Sequence, residues 1–126
     1  MIEELASYRH CCERMRGNWP PFRERREKRL AEQGRYGPAA ERVAEDILAD
    51  LLTSVLDWSL SDLKHQVNGA DLVLSRLGVK YLVLEAKRPG ALAWDRRAVE
   101  SALDQARRYA DEQKVRCISV SDGVML

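Results

Sequence analysis

The chain has 126 residues, of which 45% are hydrophobic, enough apolar side chain for one domain with a single core. Its 21 Lys and Arg oppose 20 Asp and Glu, and the net charge of +1 argues against a histone-like or tail-like nucleic-acid binder. No apolar run approaches the roughly 20 residues of a membrane span, and the first residues lack the basic region and apolar stretch of a signal peptide. We therefore expect a cytoplasmic protein with no membrane partner, in which the three cysteines are reduced.

Residues 1–37 predict a helical extension in front of the main domain, which we place at residues 38–126. One helix is expected at about 2–16 and a second at 22–33, separated by the proline pair at 20–21, because proline is typical of a helix start. The large apolar residues of the extension are expected to pack on the core, with the arginines outward. These residues are Leu5, Trp19, Phe22 and Leu30.

The sequence of the main domain predicts the element order helix, three strands, helix, strand. The first helix is expected to run to about Asp57, because its apolar residues recur three and four positions apart, which is the spacing of one helix face. Residues 124–126 are apolar, which indicates either a short final strand or a fragment of something longer. The remaining elements are expected as strands at about 60–67, 71–74 and 79–87, a helix at 95–113 and a strand at 115–120.

Ionisable residues stand where a buried hairpin should be apolar. Asp71 opens the second strand, and Glu85 and Lys87 end the third, two positions apart and therefore on the same face. A register that places Asp71 opposite Glu85 leaves a five-residue loop, 76–80, within the usual range for hairpins. A shift of one residue would send the two carboxylates to opposite faces. The pattern therefore permits one cluster of Asp71, Glu85 and Lys87.

This cluster has the chemistry of a metal site. Two carboxylates that face each other across about 5 Å repel unless a cation or a proton lies between them. Mg²⁺ takes oxygen ligands and is often held by one or two carboxylates together with waters. The expected ligands are Asp71, Glu85 and the backbone carbonyl of Ala86, with Mn²⁺ as a substitute ion. Lys87 could orient a water or stabilise developing charge in phosphodiester hydrolysis, although an ordinary surface salt bridge with Glu85 or Asp71 is the alternative.

The segment LVLEAKRPG, followed by LDQARRYA, resembles the PD-(D/E)xK nuclease superfamily, with Asp71 as the strand Asp and Glu85-Ala86-Lys87 as the ExK motif. Within it, the chain resembles the N-terminal nuclease domain of type I restriction-enzyme R subunits and is also similar to archaeal Holliday-junction resolvases, over about 38–120. The resemblance implies an α/β, restriction-endonuclease-like core with a mixed central sheet flanked by helices. It also implies a Mg²⁺-dependent DNA endonuclease that acts as a homodimer or within a larger restriction-type assembly. The chain has no GxxxxGK[ST] phosphate loop, so it carries no helicase motor.

The resemblance also implies supporting residues. Gln105 and Tyr109, four apart on the helix after the catalytic strand, share a helix face and would support the site, although Tyr109 fits core packing equally well. Arg88 directly follows the motif and is expected to face DNA. The family often adds an acid from its first helix, and here Glu41 and Glu45 compete. We favour Glu41, which follows a glycine-containing loop and lies closer to the apolar stripe, with Glu45 in reserve, and either can be a solvated helix acid.

Two other functions share these residues. The first is a catalytically inactive DNA-binding or assembly module of the same fold, which the near-neutral charge and the missing motor favour. The second is a toxin-like or tRNA-directed nuclease, which would use the same site on RNA. The tryptophans are expected to anchor the core or an interface, although Trp94, which follows the ExK strand, could stack on nucleic acid.

Overall fold

The computed structural model of the protein describes residues 1–67 and 70–126, and within them it is an α/β structure with three α-helices and four strands. The helices are α1 (Ala6–Ala31), α2 (Glu41–Asp50, extended by a π-helical turn at Leu51–Val55) and α3 (Arg96–Gln113). The strands are β1 (Leu63–Val67), β2 (Ala70–Arg76), β3 (Val79–Ala86) and β4 (Cys117–Ser121). Within the described ranges, every helix is too short or too polar to cross a bilayer.

The strands form one mixed sheet, as expected, and lie in the order β1-β2-β3-β4. The pairs β1–β2 and β2–β3 are antiparallel, whereas β4 runs parallel to β3, because α3 carries the chain back across the sheet. The expected order of helix, three strands, helix and strand is therefore confirmed. The first strand is shorter than expected, since Leu60–Asp62 form a 3₁₀ turn before it.

The register of the central hairpin is the expected one, but its loop is not. Leu72 pairs with Leu84 and Val73 with Val83, which continues to Asp71 opposite Glu85. The expected five-residue loop at 76–80 is wrong, because the register shifts after Leu74 and the strands continue to a two-residue turn. This turn, Leu77–Gly78, has positive φ at both residues (52° and 79°), the backbone shape that suits the right-handed twist of a tight hairpin.

Helices cover both faces of the sheet, and the alternation of the strands decides which residues each helix meets. Leucines 72, 74 and 84 pack with α2 residues such as Leu48 in one core cluster. Val73 and Val83, on the other face, pack with Ala110 of α3. Because Asp71 and Glu85 have the same parity as these valines, they belong to the face that α3 covers.

The two helices expected in the extension are one continuous helix. α1 runs through Pro20 and Pro21, each of which removes a helical hydrogen bond. The reason lies in tertiary contacts, since Phe22, fully buried, packs against Val43 and Ile47 of α2 and holds the second half of α1 in line with the first. Local proline chemistry predicted a break that packing overrides.

The contacts expected from the extension are confirmed only in part. Phe22 and Leu30 join the core, and Trp19, although 41% exposed, contacts the ring of Phe22, whereas Leu5 is 54% exposed and stands outside the core clusters found among the described residues. The arginines are not all directed outward. Arg25 and Arg29 bind the carboxylate of Asp50 on α2 at 2.9 and 2.8 Å.

Asp50 shows how strongly these arginines act. Burial by itself raises the pKa of its carboxyl group, but hydrogen bonds from Arg25, Ser54 and Arg29 outweigh burial and hold the pKa below its ordinary value. The boundary at 37/38 stays a prediction, although α1 shares this ion pair and a core cluster with α2.

The chain end forms a turn where a final strand was one expectation. The Asp122 carboxylate, fully buried, accepts hydrogen bonds from the backbone N–H groups of Val124 and Met125 at 3.0 and 2.8 Å. The guanidinium of Arg26 on α1 donates to the carbonyl oxygen of Gly123 at 2.8 Å. A Cβ at Gly123, where φ is 78°, would lie 3.0 Å from Ile47, so this turn requires glycine.

We expect Phe22→Ala to lower the free energy of unfolding by about 3–5 kcal/mol, the usual effect of truncating a buried phenylalanine. Leu5→Ala, on the exposed first turn of α1, should change it by less than about 0.5 kcal/mol. Urea denaturation measures both values. If Phe22→Ala changed the free energy of unfolding as little as Leu5→Ala does, α1 would not unfold together with the rest of the chain.

Candidate functional site

The predicted cluster forms at the end of the hairpin where β2 begins and β3 ends. The side chain of Glu85 is 3% exposed, and Asp71 accepts a hydrogen bond from the backbone N–H of Ala86 at 2.9 Å. Lys87 donates to Oε1 of Glu85 at 3.2 Å. Oε2 of Glu85 is buried and has no hydrogen-bond partner within the described residues. The structure therefore brings Asp71, Glu85 and Lys87 together, as the register predicted.

Burial, followed by the negative charge of Asp71, raises the pKa of Glu85 to about 7. The ammonium of Lys87 lowers this pKa but does not cancel the two larger effects. If both carboxylates were ionised, the buried charge of Glu85 would face the half-buried charge of Asp71 with one Glu85 oxygen unpaired among the described residues. The pair therefore favours a shared proton or a bound cation.

Lys87 is held from a second direction by α3. Its Nζ donates to Oε1 of Gln105 at 2.6 Å, and Nε2 of Gln105 donates to the hydroxyl oxygen of Tyr109 at 3.2 Å. Because a lysine ammonium can only donate, the amide oxygen of Gln105 must face it. The backbone N–H of Lys87 also donates to Ser121 of β4 at 2.9 Å. Two strands and one helix thus fix the position of this side chain.

Tyr109 makes a core contact and also a hydrogen bond to a residue of the predicted site. Its ring packs against the valine cluster of β2 and β3, while its hydroxyl reaches Gln105. Arg88 is exposed, and its side chain takes no part in the hydrogen bonds and ion pairs found among the described residues. Its assignment to DNA stays a prediction.

The preference for Glu41 over Glu45 needs correction. Glu41 opens α2 and is exposed, whereas Glu45, one turn later, is 8% exposed and close enough to Asp71 for the two charges to interact. Burial, and then the charge of Asp71, raises the pKa of Glu45. The sequence placed both acids on one side of the helix, but the distance from the helix start to the sheet decides which one reaches the hairpin.

His65 is the neighbour that sequence reasoning missed. Its Nδ1 lies 3.9 Å from Oε2 of Glu45. No motif marks it, since β1 reaches this region only by pairing with β2, where His65 lies opposite Leu72. The sequence could have indicated His65 only through a prediction that β1 pairs with β2, and the pattern of β1 is weak.

The donor set suits a hard cation. The described residues contain no group of three or more His, Cys, Asp or Glu side chains that could hold a metal by themselves. Mg²⁺ does not need such a group, because one or two carboxylates with waters are its usual protein ligands. Asp71 and Glu85 supply two carboxylates, and the unpartnered Oε2 of Glu85 is the kind of oxygen that a cation satisfies. The carbonyl of Ala86 stays a predicted third ligand.

Comparison with protein-family models, with curated proteins and with solved structures gave no match to this chain.

The raised pKa of Glu85 makes stability depend on pH. Between about 4.5 and 7 the folded protein keeps a proton on Glu85 that the unfolded chain releases, so the free energy of unfolding falls as pH rises through this range. We expect Glu85→Gln to flatten this fall and to be the more stable protein at pH 8, by roughly 3 kcal/mol in the absence of divalent ions.

Urea denaturation from pH 5 to 8 measures this difference. The exposed α1 substitution Glu24→Gln is the matched control and should follow the wild-type profile. A Glu85→Gln profile parallel to that of the wild type would contradict the assignment of the raised pKa to Glu85.

Proposed function

We propose that the protein is a divalent-metal-dependent endonuclease that hydrolyses DNA phosphodiester bonds through a site of the PD-(D/E)xK kind. The observation that carries the proposal is the buried Glu85 carboxylate, which faces Asp71, leaves Oε2 unpartnered and contacts an ammonium held by α3. The mixed sheet with a parallel final pair is consistent with a restriction-endonuclease-like core, which the proposal adopts.

Asp71, Glu85 and the carbonyl of Ala86 would hold Mg²⁺, with Mn²⁺ as a substitute. When bound, such an ion lowers the pKa of a water and offsets negative charge on phosphoryl oxygens. The chain itself contributes a rigid pair of carboxylates, because the hydrogen bond from Ala86 fixes Asp71 and burial fixes Glu85.

Lys87 supplies a compact positive charge at the site. Its ammonium has three donors and spends two of them on Glu85 and Gln105, so one stays available for a water or a phosphate oxygen. Gln105 and Tyr109 are positioning residues, since they act on Lys87 rather than on DNA. Arg88, exposed at the end of β3, is proposed to meet a phosphate of the DNA backbone.

DNA is the proposed partner, and we extend the proposal to a cytoplasmic location and to action as a homodimer or within a restriction-type assembly. A second candidate, a DNA-binding or assembly module without catalysis, is favoured by the ability of Asp71 and Glu85 to share a proton in place of a cation. Calorimetric titration with Mn²⁺ separates the two candidates, because the module would bind no ion.

We expect Lys87→Ala and Lys87→Arg each to lower Mg²⁺-dependent plasmid cleavage by roughly 10²-fold, the usual loss of one transition-state donor. Arginine at position 87 should not restore cleavage, because its planar guanidinium is larger than the ammonium that lies between Glu85 and Gln105. Asp71→Asn should weaken Mn²⁺ binding, which Lys87→Ala should retain, since lysine offers no ligand oxygen.

Lys28→Ala, an exposed lysine on α1, is the matched control and should cleave like the wild type. Circular dichroism verifies that each variant is folded. Wild-type cleavage by Lys87→Arg would return Lys87 to the role of a salt-bridge partner, and normal Mn²⁺ binding by Asp71→Asn would remove Asp71 from the proposed ligands.

The helix acid can be tested with an isosteric pair. We expect Glu45→Gln to lower cleavage, because Glu45 lies beside Asp71, and to change the affinity for Mn²⁺ measured by calorimetry. Glu41→Gln, one turn away and exposed, should leave both unchanged. The reverse pattern would restore Glu41 as the helix acid.

A further inference from the structure

Trp94 lies in the loop between β3 and α3, and its side chain is 77% exposed. The two other tryptophans have aromatic partners, since Trp19 contacts Phe22 and Trp58 contacts Tyr81. In the part of the chain that the structure describes, the ring of Trp94 makes no aromatic or cation–π contact. A single exposed apolar residue would need no explanation, but the backbone under this one is unusual.

Ala93 and Trp94 both have positive φ, 45° and 55°. Glycine adopts this region freely, whereas residues with a Cβ do so only under constraint. Strained residues persist where the surrounding structure holds them, and they are concentrated at functional sites and ligand clamps. Two in succession therefore indicate that the loop is held in a shape that displays the indole.

The constraint comes from both sides of the strained pair. Leu92, 1% exposed, donates its backbone N–H to the buried Asp122 carboxylate at 3.2 Å. The backbone N–H of Asp95 donates to the carbonyl oxygen of Leu92 at 2.7 Å, and the Asp95 side chain caps α3 by accepting from Ala98 at 2.9 Å. The loop is anchored immediately before and after the indole, so Trp94 is presented rigidly.

The same anchor links the loop to the residues that hold the backbone of Lys87. Asp122 follows Ser121, whose carbonyl oxygen accepts the backbone N–H of Lys87. Lys87, at the start of the loop, and Leu92, two residues before Trp94, are therefore both bound to the Ser121–Asp122 dipeptide. Two residues of chain reach at most about 7 Å, so Trp94 stays close to this anchor. Exposed arginines flank it on either side in the sequence, at positions 88, 96 and 97.

Resting on the proposed nuclease function, we propose that Trp94 is a base-stacking site that selects DNA with an unstacked base. Inside a duplex both faces of a base are covered by its neighbours. A rigid, exposed indole can therefore stack only on a base that is single-stranded, terminal or flipped out. Arg88 and Arg97 would neutralise the adjoining phosphates without reading the sequence, whereas Arg96 is already paired with Glu100 at 2.7 Å.

The test compares a single-stranded oligodeoxynucleotide with a duplex of the same length, both bound in EDTA so that no cleavage occurs. Trp94→Ala should raise the Kd for the single strand roughly 5- to 100-fold, the range for losing one stacked base, and Trp94→Phe should raise it less. The duplex Kd should not change. Trp19→Phe, a tryptophan on α1, is the matched control and should bind like the wild type.

Trp94→Gly adds a readout of the strain. Because glycine accepts the positive φ, this variant should have a higher melting temperature than Trp94→Ala. Its Kd for the single strand should rise to the same degree as that of Trp94→Ala. An unchanged single-strand Kd in Trp94→Ala, equal losses on single strand and duplex, or no melting difference between the Gly and Ala variants would overturn the inference.

A separate cleavage assay with Mg²⁺ or Mn²⁺ tells the two failures apart. If the wild type cleaves DNA and Trp94→Ala binds single strands normally, the stacking proposal is wrong and the nuclease proposal stands. If the wild type cleaves nothing but its single-strand binding depends on Trp94, the nuclease proposal fails and the stacking site stands.

Discussion

The site in this molecule is organised around one buried carboxylate. Glu85 lies near the end of β3 in the protein interior, opposite Asp71, and its Oε2 has no hydrogen-bond partner among the residues that the structure describes. Burial and the charge of Asp71 raise its pKa to about 7, so the folded protein gives up stability at neutral pH to keep this group in place. A protein that needed only a stable hairpin would do better with an apolar residue there. The burial of this pair is the observation on which the proposed cation site rests.

The surrounding elements are arranged to hold that carboxylate and its counter-charge. β4 pairs in parallel with β3 and fastens the backbone of Lys87, while α3 supplies Gln105 and Tyr109 to its side chain. The turn after β4 then anchors the β3–α3 loop through Asp122. The segment 85–87 is thus short in sequence, but the position of Lys87 also depends on β4 and α3, because a strand end by itself leaves a lysine free to rotate.

Much of the fold was predictable from pattern. The alternation along β2 and β3 predicted the register, since a one-residue slip would send Asp71 and Glu85 to opposite faces of the sheet. Where prediction failed, longer-range contacts decided. Pro20 and Pro21 indicated a break that the packing of Phe22 overrides, and the hairpin loop is shorter than expected because of a bulge after Leu74.

The sequence by itself determined the order of elements, the hairpin register and the convergence of Asp71, Glu85 and Lys87, because neighbouring strands and a two-residue period need only local information. Only the tertiary structure decided that Glu45 rather than Glu41 is buried within reach of the charge of Asp71, that His65 approaches Glu45, and that Trp94 is exposed. These positions depend on where a helix meets the sheet and how a loop is anchored. Such distances are set by packing between segments far apart in the chain, which residue spacing does not encode.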